Sequence, residues 1–219
     1  VTAKYFDDKG WVGVKNRDRN YIPEISFKRI KQRGTEIMLF WDDITQYCEG
    51  FNSGGVAILS ASLMVLDDEK EITVRAKRPS KDGTKIKKAL AYPNVKAAAM
   101  SLIKQKLTGN TLIFDRDTCY LLEGAWKPGG YADKNYKYKI VEVPKDRTIT
   151  RTNHGIMLDW AGYQTGFSEN QDLSRQSSES RYEQALAILK EAKTPQEIID
   201  GMCMQPDSDT QMNILRTTT

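Results

Sequence analysis

The sequence predicts an α+β protein with mainly antiparallel sheets. Short apolar segments of strand character alternate with tight turns through most of the chain. Helical periodicity is confined to one stretch near residue 94 and one near residues 180–202. Strands grouped around two separate helical regions are the pattern of an α+β domain.

Residues 2–14 read as a strand, a turn at Asp7-Asp8-Lys9-Gly10 and a second strand, with Gly10 able to take the left-handed conformation of the turn. Residues 22–30 and 36–41 are the next two strands. Gly54-Gly55 precedes VAILSASLMV, a run suited to a central strand covered on both faces. The basic stretch 73–88 reads as a turn-rich excursion, here a solvated loop or a contact for anionic groups. A helix starts near Asn94, with Val95, Ala98, Ala99, Leu102 and Ile103 on one face and Gly109 as its stop. Residues 111–114 and 120–123 form a hairpin about Asp115-Arg116-Asp117, and WKPGGY (126–131) is a loop. Residues 138–143 and 148–152 are strands. Ser180 and Glu183 make a capping box for a helix carrying Ala185, Leu186, Ile188 and Leu189. Thr194-Pro195-Gln196-Glu197 opens a second, short helix to Met202. MNILRTTT reads as the start of a further strand.

The chain has 219 residues, 39% hydrophobic and 28% charged, which is ample for one substantial core. A formal charge of +4 is too mild to imply nucleic acid. No apolar run approaches the roughly 20 residues of a membrane span. Cys48, Cys119 and Cys203 are odd in number and widely spaced, pointing to reduced thiols and a cytoplasmic compartment. With His154 the single histidine, a metal site is not expected, and neither is a cofactor. A Cys48–His154 or Cys119–His154 thiol–imidazole pair is the weaker reading beside a core thiol and a structural histidine. Tyr120, Trp126 and Tyr131 suit an acyl or aromatic pocket as well as core packing.

Four polar clusters stand out. They are Lys15-Asn16-Arg17-Asp18, Gly50-Phe51-Asn52, Thr152-Asn153-His154 and Ser178-Glu179-Ser180-Arg181-Tyr182. Singly, each reads as a turn or a helix cap. In the order VTAKYFDD…KNRDRN, EGFNSGGVAI, LIFDRDTCYLLE, TRTNHGI, SESRYEQA they resemble the linear-amide branch of the N-terminal-nucleophile hydrolases. That branch holds choloylglycine hydrolases and related acyl-transferases, and the likeness runs along nearly the whole chain.

The resemblance implies a four-layer αββα sandwich, one domain over residues 1–219, and cleavage of a non-peptide C–N amide bond in a small molecule. In such enzymes an N-terminal cysteine attacks the carbonyl and its own α-amine moves the proton, an amine pKa near 8 making it a usable base. The resemblance assigns Asp18 to orient the amine, Lys15 to favour thiolate, and Asn153 and Asn52 to the oxyanion. Arg181 would hold the shape of the site, with Arg17 and Tyr131 beside the substrate. Family members often form homo-oligomers and continue into further strands, so this domain either is compact or lacks terminal strands.

Val1 occupies the nucleophile's slot and carries no nucleophile, so this form is expected to be inactive. An engineered substitution, a naturally non-catalytic relative that binds or assembles, and removal of Val1 to leave Thr2 as nucleophile all remain open. Lys15 supplies the charge of the family arginine without its forked donors.

Overall fold

The computed structural model describes residues 1–17, 22–63, 82–127, 133–162, 171–204 and 212. Its fold is mixed α+β, with two antiparallel sheets and four α-helices among the described residues.

The first hairpin forms as expected. Strands β1 (Thr2–Phe6) and β2 (Gly10–Val14) pair with Phe6 opposite Gly10, whose φ is +81°. A short strand, β10 (Ile149–Thr150), pairs with the other edge of β1 and sets Thr2 opposite Thr150, completing a three-stranded sheet.

The larger sheet is a seven-stranded meander in chain order. Its strands are β3 (Ile25–Gln32), β4 (Thr35–Asp42), β5 (Cys48–Asn52), β6 (Ala57–Ala61), β7 (Gly109–Phe114), β8 (Cys119–Trp126) and β9 (Tyr136–Glu142). β5 is a strand that the sequence reading lacks. Glu49 and Gly50 interrupt its apolar pattern, yet Gly50 has to be glycine, since a Cβ there would lie 2.0 Å from the Met38 carbonyl oxygen.

Helices α1 (Asp82–Ala89) and α2 (Val95–Lys104) cover one face of this sheet. Ile86, Leu90, Ala98 and Leu102 pack there with Ile37, Leu39, Ile58 and Ile113. Residues 82–88 are therefore helical, which corrects the reading of an excursion up to 88. The buried contacts are Gly83 against the backbone of residues 46–48 and the side chain of Ile86, and polar flanks hide them in the sequence. Residues 73–81 lie outside the described residues. Asn94 caps α2 as expected, its Oδ1 accepting from Ala97 N at 2.8 Å. The helix stops at Gln105 rather than at Gly109, which with φ +124° opens β7 instead.

The three-stranded sheet packs on the opposite face of the large one. Ala3, Trp11 and Ile149 meet Leu112, Phe114, Cys119 and Leu121. On its outer face Phe6, Val12 and Val14 meet Ala185, Leu189, Ile198 and Met202. Those residues belong to α3 (Gln171–Glu191) and α4 (Pro195–Met202). Lys4 Nζ donates to the carbonyls of Leu189 at 2.7 Å and Ala192 at 2.5 Å, placing a cation on the negative end of α3. Thr194 caps α4 through the Glu197 amide at 3.3 Å. Ser180 is no cap: α3 starts at Gln171, and Ser180 lies within it, its hydroxyl bonded to Gln184 Nε2. Ser177 and Ser178, one turn before it, are buried. The strand expected in the last eight residues lies outside the described residues, Met212 excepted.

Candidate functional site

Side chains on the inner face of the small sheet follow a period of two. Trp11, Gly13 and Lys15 share that face. A Cβ on Gly13 would lie 2.5 Å from the Phe114 ring, so glycine lets the hairpin settle close to the large sheet. Lys15, two residues on, then reaches Glu49 of β5. Its Nζ donates to Glu49 Oε1 at 2.6 Å and also to the Ser60 carbonyl.

Glu49 is buried at 4% exposure and fully engaged. Oε1 also accepts from Ser60 N at 2.7 Å, and Arg17 donates to Oε2 at 2.9 Å. Burial raises the Glu49 carboxyl, but Lys15 and Arg17 together outweigh it and hold the group below its ordinary 4.5. Burial pushes the Tyr47 phenol well above 10, so it stays a donor, 3.3 Å from both Glu49 Oε1 and the Ser60 carbonyl.

Lys15, Arg17 and Tyr47 form one wall of a cavity of about 130 Å³, with Glu49 behind them. Val1, Lys15, Arg17, Asn153 and Arg181 line it, drawn from the entry and exit of the first hairpin, the residues after β10, and α3. The Val1 nitrogen donates to the Arg151 carbonyl at 2.8 Å, and Arg151 N returns a bond of 2.8 Å to the Val1 carbonyl. For a free amine at Val1, burial and then the charge of Lys15 push its pKa down from 8.0 to about 5. It is then a neutral base at pH 7.

Asn153 and Arg181 form one unit. Both terminal guanidinium nitrogens of Arg181 donate to Asn153 Oδ1 at 3.1 Å, and Asn153 Nδ2 donates to the Ser62 carbonyl at 2.7 Å. Burial pushes the Arg181 guanidinium down to about 10. Behind them, Ser178 Oγ accepts from Asn153 N at 2.9 Å and lies 2.8 Å from His154 Nδ1. Burial lowers the His154 pKa, so the ring is neutral and serves this latch.

The structure thus gathers Val1, Lys15, Arg17, Asn153 and Arg181. It does not gather Asn52, whose assignment to the oxyanion is corrected. Its Nδ2 donates to the carbonyls of Leu90 at 2.8 Å and Tyr92 at 2.7 Å, while its Oδ1 accepts from Gly54 N and Val56 N. Every polar atom of that side chain ties the β5–β6 turn to the α1–α2 connection. Asp18 and Tyr131 lie outside the described residues. Trp126 tilts against Tyr136 at 5.2 Å between ring centroids, so it packs within the sheet. The Cys48 thiol donates to the Gly83 carbonyl at 3.1 Å, and Cys119 packs between the sheets. Among the described residues no group of His, Cys, Asp and Glu could hold a metal ion, and no helix is long and apolar enough to cross a membrane.

Sequence reasoning missed Glu49, Tyr47, Arg151 and the Ser178–His154 latch. The signal for Glu49 was present: a carboxylate set between Cys48 and Gly50, in a chain whose first hairpin ends in the basic residues Lys15 and Arg17. Compared with known proteins, the chain matches no protein-family model, no curated protein and no solved structure.

Proposed function

We propose that this chain is built as an N-terminal-nucleophile amide hydrolase of the kind that cleaves non-peptide C–N bonds, with Val1 in the place of the nucleophile. The order α1 and α2, large sheet, small sheet, α3 and α4 is in keeping with the αββα sandwich of that class. One observation carries the reading. The Val1 nitrogen sits in a cavity with Lys15, Asn153 and Arg181, which are remote in sequence and were expected together from motif order alone.

In the chemistry proposed, a thiol at position 1 would attack the amide carbonyl carbon. Its proton passes to the neutral α-amine and on to the leaving nitrogen as the C–N bond breaks. Water then cleaves the thioester, releasing the acid and restoring the thiol. Lys15 favours the thiolate, and Asn153 Nδ2 would leave the Ser62 carbonyl to donate to the oxyanion. In the present form the valine side chain supplies no nucleophile. Thr2 is poorly suited to replace it, because its hydroxyl donates to Thr150 Oγ1 at 3.0 Å and its backbone lies in the ladder.

The test is a Val1→Cys chain whose free N-terminus is verified by intact mass, assayed against a panel of small acyl amides. Thiol-dependent turnover is expected, falling by about 10²-fold or more with Asn153→Ala. Neither turnover nor a thioester adduct across the panel would overturn the reading. It would favour a second one, a non-catalytic binding protein on the same scaffold, which the engagement of Asn153 Nδ2 with Ser62 already accommodates.

A further inference from the structure

Two buried polar residues of the large sheet bond the backbone around Asn153. Asn110 of β7 and Glu123 of β8 are cross-strand partners, and neither is exposed. Leu112 and Leu121, two residues away on each strand, pack against the small sheet. Asn110 and Glu123 therefore share that face.

The two side chains divide one segment between them. Asn110 Nδ2 donates to the Thr152 carbonyl at 3.0 Å and to the His154 carbonyl at 3.0 Å. These are the carbonyls on either side of residue 153. Carbonyls only accept, so the amide nitrogen is the one end of this side chain that can serve them. The Glu123 carboxylate takes the chain that follows, accepting from Ile156 N at 3.1 Å, Met157 N at 3.2 Å and Leu158 N at 2.6 Å.

Asn110 keeps its place at a cost. Its Oδ1 is buried and has no hydrogen-bond partner among the described residues. A side chain present for packing alone would carry no unmatched acceptor, so the amide is explained by what its nitrogen holds. With Ser178 Oγ accepting from Asn153 N, the peptide groups on both sides of residue 153 are fixed. The Asn153 side chain is then free to turn only about its own torsions, between the Ser62 carbonyl and the cavity.

We infer that Asn110 is the positioning residue of Asn153: its amide spans the two neighbouring carbonyls and so aims the Asn153 side chain into the cavity. The oxyanion as the target of that aim rests on the amidase reading above; the positioning itself requires only the backbone contacts.

Two experiments test this. In the full chain with nitrogen-labelled asparagine, Asn110→Ala should shift the side-chain amide resonance of Asn153. Tyr136→Phe, which removes a buried hydrogen bond of 2.7 Å to the Leu107 carbonyl, should leave it in place. In the Val1→Cys chain, Asn110→Ala should lower kcat about tenfold or more with KM within about twofold. Added to Asn153→Ala it should lower kcat by no more than about twofold, because its effect passes through Asn153. Should Asn110→Ala fail to fold by circular dichroism, scalar couplings from Asn110 Nδ2 to the carbonyl carbons of residues 152 and 154 in the parent decide. An unmoved Asn153 resonance in the folded variant, equal kcat losses with and without Asn153, or absent couplings would each overturn the inference. Its fate separates from that of the amidase reading. A shifted resonance in a chain whose Val1→Cys variant is inert keeps the positioning and removes the enzyme. Turnover that falls equally in both backgrounds does the reverse.

Discussion

Replacing Glu49 with alanine should destabilise the protein by about 3–5 kcal/mol. The magnitude follows from burial. The Lys15 and Glu49 side chains are 12% and 5% exposed, and Arg17 is 16% exposed. Removal of the carboxylate leaves two cations in low dielectric, close to a third on Arg181. It also strips the Ser60 amide of its acceptor. Loss of one partner from a buried pair costs far more than the net worth of the pair, because the remaining charge stays uncompensated. Asp43→Ala is the control. It breaks the Lys28–Asp43 pair at a similar 2.5 Å, with side chains 41% and 40% exposed, where screening leaves little to lose.

Urea unfolding followed by circular dichroism reads both variants, with the slope m checked for constancy. Glu49→Ala should move the midpoint much further than Asp43→Ala. A shift no larger than the control's would refute the claim that this wall of the cavity is an electrostatic keystone. Acidification supplies a second reading. The native Glu49 carboxyl sits below its ordinary 4.5, so the unfolded chain takes up that proton first as pH falls. Its stabilisation is complete above about 4.5 and is lost as pH drops through the native value. Glu49→Gln, with no proton to gain, should show a shallower loss across that window than the parent. Equal slopes would place the acid-labile charge elsewhere.

Two further outcomes are expected. Asn52→Ala should cost about 3–5 kcal/mol in urea unfolding, since four hydrogen bonds at roughly 1 kcal/mol each are removed; a loss under about 1 kcal/mol would contradict its role as the tie between the β5–β6 turn and the α1–α2 connection. Burial pushes the Cys48 and Cys119 thiols up to about 11 and about 12, whereas Cys203 is exposed; an aromatic disulfide reagent at pH 8 should therefore titrate one thiol per native chain rapidly and three after denaturation, and rapid labelling of more than one would contradict the packing of β5 and β8.

The legible parts of this fold were those in which local pattern and tertiary role agree. The first hairpin, the hairpin of β7 and β8, the Asn94 cap and the Thr194 cap are each specified within a few neighbouring residues. The polar clusters were legible as a set because nothing local explains Lys15 and Arg17 at a strand exit. Helix α1 was not legible, since its apolar residues are few and it is held by β5 and the turn before it, remote in sequence, where Gly83 meets the backbone of residues 46–48. The start of α3 was misread because serine serves both as a cap and as a buried hydrogen-bonding group, and only the fold shows Ser178 Oγ accepting from Asn153 N.

Asn52 is the instructive miss, because its exclusion needs no distance. Strand residues alternate between faces. In β5, Cys48, Gly50 and Asn52 share the face covered by α1 and α2, where Cys48 joins the core and Asn52 bonds the carbonyls of residues 90 and 92. Glu49 and Phe51 therefore look the other way, toward the small sheet. On that side Gly13 lets β2 approach and Lys15 lies two residues further along the same face. A motif read as a string of letters favours the asparagine beside the glycines; a motif read as a pleated strand requires an odd-numbered residue, and in β5 the polar one is Glu49. The cation cluster at the exit of β2 thus selects its partner by parity, and Lys15 and Arg17 both bond the Glu49 carboxylate.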